Sequence, residues 1–257
     1  MKKRTGFVAF FDILGYQSFL EHNDPQLAAE KISEFVAKVQ AFPKETLMAF
    51  ANLDKPEEAQ AIKPLTTLIN DITCLIISDS IILTLEVGRS SKTKDFLSRK
   101  INFLAYCSMF FDELSYDGLP MRGAIEYGQY VLETKQGTHI LAGKPIVKAY
   151  QAATELDLSA CRVSDSVGIL PPGLENLLYL KYPTPLKTGE ELPLVLLIPF
   201  NFSLKDNNML LRGISDLKQF VVKSFSDHNK MMNKSVQNKI VNTEFFLRYC
   251  KAHLSSS

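Results

Sequence analysis

The sequence predicts an α+β fold, an α/β sandwich built on a ferredoxin-like βαββαβ core with extra strands and a helical C-terminal addition. Three observations predict it. Short runs of β-branched and aromatic residues alternate with stretches whose apolar residues recur at helical spacing. The order along the chain is strand, helix, hairpin, helix, strand pair, helix, strand, whereas a doubly wound sheet needs strict alternation of strand and helix. Two apolar runs between 72 and 85 are separated only by Ser78-Asp79-Ser80, which makes the second and third strands a hairpin.

Residues 7 to 14, FVAFFDIL, are β-branched and aromatic enough for a strand, and Gly15 ends the run. The stretch DPQLAAEKISEFVAKVQAF follows with Asp24 as N-cap and Pro25 at the first helical position. Leu27, Ile32, Phe35, Val36 and Val39 mark one buried face. Residues 43 to 66 carry three prolines and a mixed pattern, so an irregular connection with some helix is expected. ITCLIISDSIILTL is the hairpin, without the usual Asn-Gly turn. Lys94 to Tyr116 reads as a long helix that Asp117-Gly118 stops. LPMRGAIEYGQYVLE reads as a strand pair broken near Gly128, GKPIVKAYQAATELD as a helix, and CRVSDSVGIL as a returning strand. Beyond Pro171-Pro172-Gly173 come a strand candidate at 192 to 200 and helical stretches at 209 to 226 and 229 to 253. A ferredoxin-like sheet carries its helices on one face. Nothing linker-like interrupts the chain, so residues 1 to 200 are expected to form one domain and 201 to 257 a helical extension packed on it.

Composition excludes several classes. Hydrophobic residues are 46% and charged residues 22%, which fits a globular chain of 257 residues and neither a disordered nor a fibrous one. Lys plus Arg is 29 against 28 for Asp plus Glu, so no global field draws the protein to nucleic acid or an anionic membrane. The four cysteines are far apart and form no C-x-x-C, as expected of reduced thiols. Asp12 cuts the apolar patch after MKKRTG well short of a signal-peptide core, and no run approaches a membrane span. A cytoplasmic protein with no membrane segment is expected.

Two carboxylates stand out. Asp12 lies among Phe10, Phe11 and Ile13 in the first strand, where an ionised group must be paired, hydrogen-bonded or metal-bound. Asp79 lies at the turn of an apolar hairpin; alone, it also reads as an ordinary turn residue. If the hairpin lies beside the first strand, strands about 4.8 Å apart bring both carboxylates near enough to share cations. Two carboxylates with a backbone carbonyl, waters and phosphate oxygens suit Mg²⁺.

FFDILGY resembles the F-x-D-I-x-G-[FY] opening motif of class III nucleotide cyclases. IISDSII resembles that family's Gly-Asp hairpin, MRGAIEYG (121 to 128) its Arg-x-Gly-Ile-x-x-Gly strand, and GKPIVKAYQAATELDLSACRVS (143 to 164) its Gly-x-x-Val-Asn-x-Ala-Ala-Arg helix with the next strand. The resemblance spans roughly residues 6 to 200. It implies a head-to-tail homodimer with a nucleoside triphosphate at the interface. It also implies two Mg²⁺ or Mn²⁺ ions on Asp12, Asp79 and the carbonyl of Ile13, and two-metal displacement at the α-phosphorus. Backbone amides from Leu14 to Ser18 would cradle phosphate oxygens, with Gly15 allowing close approach and Tyr16 and Gln17 placed to touch ligand.

The departures are informative. The purine-reading positions of that family fall on Leu75 and Ile140, which cannot hydrogen-bond a purine edge. Its transition-state Asn and Arg fall on Val147 and Gln151, leaving Lys148, Arg122 and Lys187 as substitute donors. Metal aspartates kept with purine readers lost resembles the stand-alone pyrimidine cyclases of bacterial anti-phage defence (Pycsar). These make cyclic UMP or cyclic CMP for a separately encoded effector. The resemblance therefore implies a UTP or CTP cyclase, or, with Val147 and Gln151, a silent cyclase-like module. A diguanylate cyclase or palm polymerase is disfavoured because the hairpin has no Gly-Gly-[DE]-[DE]-Phe run. Phe103, Tyr106, Phe110 and Phe111 read as core, His139 as a surface histidine, and the basic spread at 226 to 239 as water-facing.

Overall fold

The computed structural model describes residues 2–51, 67–87, 94–116, 118–135, 138–171, 178–197 and 214–256. The first strand, β1 (Lys3–Ile13), leads through Gly15 into a short helix, α1 (Tyr16–His22), and then α2 (Pro25–Ala51). The hairpin β2 (Ile72–Ile77) and β3 (Ser80–Glu86) precedes α3 (Lys94–Tyr116). A long strand, β4 (Met121–Lys135), turns back as β5 (Thr138–Ala142) before α4 (Lys144–Glu155) and β6 (Cys161–Val163). Four short strands follow, β7 (Tyr179–Lys181), β8 (Thr184–Leu186), β9 (Gly189–Glu191) and β10 (Leu194–Leu196), and then the helices α5 (Ile214–Ser226) and α6 (Lys234–Ser256).

The main sheet has the order β2-β3-β1-β4-β6-β10-β7, with β5 paired to β4. Its first four strands run β2-β3-β1-β4 with every neighbour antiparallel, the split βαββαβ arrangement expected from the element order. The chain then adds a βαβ unit, because β4 pairs β6 in parallel across α4. The fold is thus a mixed α/β structure around one large mixed sheet. Among the described residues no helix is long and apolar enough to cross a membrane.

Alternation along β1 sends its side chains into two cores. Phe7, Ala9, Phe11 and Ile13 join the larger core with Phe35, Val39 and Phe42 of α2 and Phe103, Cys107 and Phe110 of α3. Val221 and Phe225 of α5 and Phe246, Leu247 and Cys250 of α6 bury themselves in the same cluster. Val8 and Phe10 face the other way and pack with Leu75, Ile82, Ala124, Ala149 and Ala153 beneath α4. Phe103, Tyr106, Phe110 and Phe111 are core residues, each no more than 2% exposed.

Three expectations are corrected, and the expected helix within residues 43 to 66 is present at its start. Helices cover both faces, since the core helices α2 and α3 share one side while α4 takes the other; β1 needs both because its apolar run is continuous. The stretch after Pro43 is helical to Ala51, and the rest of the expected connection lies outside the described residues. A mid-helix proline costs about 3 kcal/mol, which the buried Phe35, Val39 and Phe42 on the preceding turns offset. The strand at 121 to 135 passes through Gly128 unbroken, and its partner is 138 to 142. Gly128 is there because a Cβ would come within 2.8 Å of Pro145 Cγ in α4. Finally, Lys230 in the basic stretch is 7% exposed and does not face water. The boundary expected near residue 200 lies outside the described residues.

Candidate active site

Asp12 stands one residue from the end of the central strand, on the α4 side of the sheet, with Ser80 of β3 and Arg122 of β4 as its lateral neighbours. Ile77 pairs Ser80, so Ser78 and Asp79 form a two-residue turn. Ser78 carries the turn with a φ of 56°, a left-handed conformation costing a non-glycine residue roughly 1–2 kcal/mol. The turn is stitched to β1: the Ile13 amide donates to the Asp79 carbonyl at 3.1 Å. The two aspartates separated by 67 positions therefore meet at one end of adjacent strands.

Charge compensation of Asp12 comes from Arg122. Its Nε and Nη2 each lie 2.7 Å from Asp12 Oδ2, and Nη1 donates to the Thr154 carbonyl at the end of α4 at 2.9 Å. Both side chains of the pair are about six-sevenths buried, at 15% and 14% exposure. Burial lifts the Asp12 carboxyl above the usual aspartate range; Arg122 opposes the rise and the charge of Asp79 adds to it. A second cation is close: desolvation and the charges of Arg122 and Lys239 draw the Lys187 amine below the usual lysine range, while Asp12 and Asp157 oppose them. Lys187 is positioned by the β8–β9 hairpin, whose backbone meets the end of α4 through Lys187 N–H to the Glu155 carbonyl at 2.9 Å. Lys239 of α6 closes the network with Nζ 3.2 Å from Asp157 Oδ1. Sequence reasoning missed Lys239 and Asp157, which no motif marks.

These residues fit a hard divalent cation. All hydrogen bonds of Asp12 fall on Oδ2, and among the described residues the carboxylate of Asp79 has no hydrogen-bond partner. The Asp79 carboxylate is near enough to act on the charge of Asp12, and its backbone is bonded to Ile13, a donor set that suits Mg²⁺ or Mn²⁺. No group of three or more His, Cys, Asp or Glu side chains forms among the described residues, so any ion here completes its shell with backbone, water or ligand oxygens. Arg122 on Oδ2 leaves Asp12 one oxygen for a first ion; a second shared ion requires that contact to open.

The other expected residues divide. Leu75 is 6% exposed and belongs to the smaller core beside Phe10 and Ile82, whereas Ile140 on β5 is 38% exposed. Exposed His139, next to it, has Nδ1 2.9 Å from Thr134 Oγ1. Gly15 adopts a φ of 80° and opens the turn into α1. The Leu14 amide is already given to the Pro120 carbonyl at 2.8 Å, so the expected amide cradle loses its first member. Tyr16 packs near Phe19, and exposed Gln17 donates to Glu21 at 2.8 Å. Lys148 and Gln151 open into a cleft of about 860 Å³ between α4 and the strand ends, with Arg162, Lys181 and the buried Glu126 in its walls. Neither Asp12 nor Asp79 lines the cleft that Lys148 and Gln151 line. Val147 is 55% exposed on the outer side of α4.

No family model and no curated protein matches the chain. Solved structures do resemble it. The adenylyl cyclase CyaB from P. aeruginosa aligns with a TM-score of 0.44 and 11% identity, covering 76% of this chain and 93% of that one. The guanylyl cyclase domain of the RhoGC fusion protein from the aquatic fungus Blastocladiella emersonii gives 0.42 and 12%, over 77% and 98% of the two chains. A bacterial light-regulated adenylyl cyclase gives 0.46 and 9%, over 97% and 58%. At these scores and identities the likeness says nothing about chemistry.

Proposed function

We propose that this protein is a nucleotidyl cyclase that converts UTP or CTP to the 3′,5′-cyclic monophosphate and pyrophosphate. The observation that carries the reading is the meeting of Asp12 and Asp79, whose carboxylate has no hydrogen-bond partner among the described residues, at the end of adjacent strands, flanked by Arg122 and Lys187. Asp12, Asp79 and the Ile13 carbonyl would hold Mg²⁺ or Mn²⁺, which would supply Lewis-acid chemistry for activating the ribose 3′-hydroxyl and offsetting triphosphate charge. Three of the five Arg122 donors are engaged, which leaves two for phosphate oxygens. Lys187 adds a mobile point charge on the same side.

Leu75 and Ile140 support a pyrimidine over a purine, since neither offers a donor or acceptor to a purine edge. Lys148 and Gln151 line a cleft that neither carboxylate of their own chain lines. That separation supports a head-to-tail homodimer, in which the cleft of one copy meets the carboxylates of the other. In this reading residues 1–200 form the catalytic domain, 201–257 an extension packed on it, and the enzyme is cytoplasmic. A role in anti-phage defence through a separately encoded effector rests on the motif resemblance alone.

Incubation with all four ribonucleoside triphosphates and Mn²⁺, followed by mass spectrometry, tests the proposal. Cyclic UMP or cyclic CMP is expected, and Asp12→Ala or Asp79→Ala is expected to lower turnover at least 100-fold. Full activity in both variants sinks the metal assignment. A second reading, a catalytically silent nucleotide-binding module, is favoured by the apolar Val147 at the family Asn position; nucleotide binding without any product decides for it.

A further inference from the structure

The short helix α1 has little to hold it. It is seven residues long, buries only Phe19, and is far below the length at which a helix is stable alone. Its position decides where the turn at Gly15 points, and the contacts that fix it come from the other end of the chain. Three consecutive residues between α5 and α6 touch it or the residues that cap its two ends. Asn229 Nδ2 donates to Asn23 Oδ1 at 3.1 Å, at the C-terminal end of α1. The Met231 amide donates to Ser18 Oγ at 2.8 Å. Between them the stem of Lys230 crosses Gly15 so closely that a Cβ on the glycine would lie 3.0 Å from Lys230 Cδ.

The far end of Lys230 is anchored. Its ammonium donates to the Gly118 carbonyl at 3.0 Å and the Ser224 carbonyl at 3.3 Å. Gly118 opens the segment that receives the Leu14 amide at Pro120, so Lys230 grips the turn through two routes, directly at Gly15 and through the backbone before β4. Asp227 approaches Gly118, with Oδ2 2.7 Å from where a Cβ on that glycine would stand. A lysine buried to 7% exposure with its stem on a left-handed glycine is a built contact.

We infer that residues 229–231 form a strap that fixes the Gly15 turn against the end of β1, and that Lys230 is the positioning residue for this turn, which directly follows Asp12 and Ile13 in the proposed active site. The functional half of this inference rests on the cyclase reading above; the strap does not. The C-terminal helices thereby become part of the site: they carry the strap and hold its two ends in the larger core through Phe225 and Ile240.

The test uses full-length Lys230→Met, which keeps the stem and removes the ammonium, and Ser18→Ala, which removes only the acceptor for Met231. Amide exchange in peptides covering residues 14–22 is expected to quicken about tenfold or more in Lys230→Met and severalfold in Ser18→Ala. Exchange in β1 and β4 should stay at the wild-type rate. The apparent KM for the triphosphate should rise about tenfold in Lys230→Met with kcat within twofold, and Lys230→Arg should recover part of the loss. Unchanged exchange in both variants, or an equal acceleration across the whole sheet, overturns the strap. A KM that stays at the wild-type value overturns the positioning role. If the wild-type protein turns over no triphosphate, the proposed function falls and exchange in α1 alone decides the strap.

Discussion

Asp12 and Arg122 form a pair in which each side chain is buried deeply enough to need the other. Removing one partner of such a pair leaves an uncompensated charge, so Arg122→Met is expected to cost on the order of 3 kcal/mol. Replacing both, as Asp12→Leu with Arg122→Met, should return most of that, and urea melts of the three variants measure the difference. Metal affinity should depend on pH in a predictable sense. The Asp12 carboxyl is raised by burial, so its proton is retained to higher pH than on a free aspartate. Mn²⁺ binding should weaken on acidification at a higher pH than at a free aspartate, and calorimetric titrations of the protein and of an aspartate-containing peptide over one acidic pH series would show it; the same pH dependence in both contradicts the assignment. The need for a partner at Asp12 was legible, because a carboxylate in an apolar strand is always compensated. The identity of the partner was not, because 110 residues separate it from Arg122 and only the register of β1 on β4 joins them.

Secondary elements divide in the same way. The β2–β3 hairpin could be read because two β-branched runs flank Ser78-Asp79-Ser80, whereas its place beside β1, left conditional by the sequence, is set by the register of β3 on β1. The interior of β4 was misread because a glycine inside a strand has two physical meanings, a bulge or the close approach of another element, and sequence does not distinguish them. Gly128 has the second meaning. Gly128→Ala is therefore expected to push α4 off the sheet and cost about 1–3 kcal/mol. A thermal melt checks this, and a fall in Tm of less than 1 °C would show that Pro145 gives way freely. Since α4 also supplies the Thr154 carbonyl to Arg122, the same variant should loosen the Asp12 pair.

Over the whole molecule, the N-terminal half of the site was legible and its C-terminal support was not. Lys230 sits in a polar, basic stretch whose composition describes a solvated surface, and only the docking of α5 and α6 on the larger core buries it. Burial lowers its amine from 10.5 to about 8, with Asp227 opposing. Between pH 8 and 10.5 the unfolded chain then binds more protons at this position than the folded one, so stability should rise with pH across that window. Below pH 8 the cost of the buried charge is fully present. Urea melts at pH 7.5 and 9.5 should show wild type gaining stability relative to Lys230→Met; equal gains in both would deny that Lys230 is the group responsible. The strap also sets an order of events in time. Ser18 and Met231 are 213 positions apart, and at roughly 5–20 residues per second a ribosome needs about 10–40 s to travel between them. From the emergence of Asp79 onward the nascent chain carries both aspartates and the Gly15 turn without the strap, so the turn takes its fixed position only after Met231 has been made.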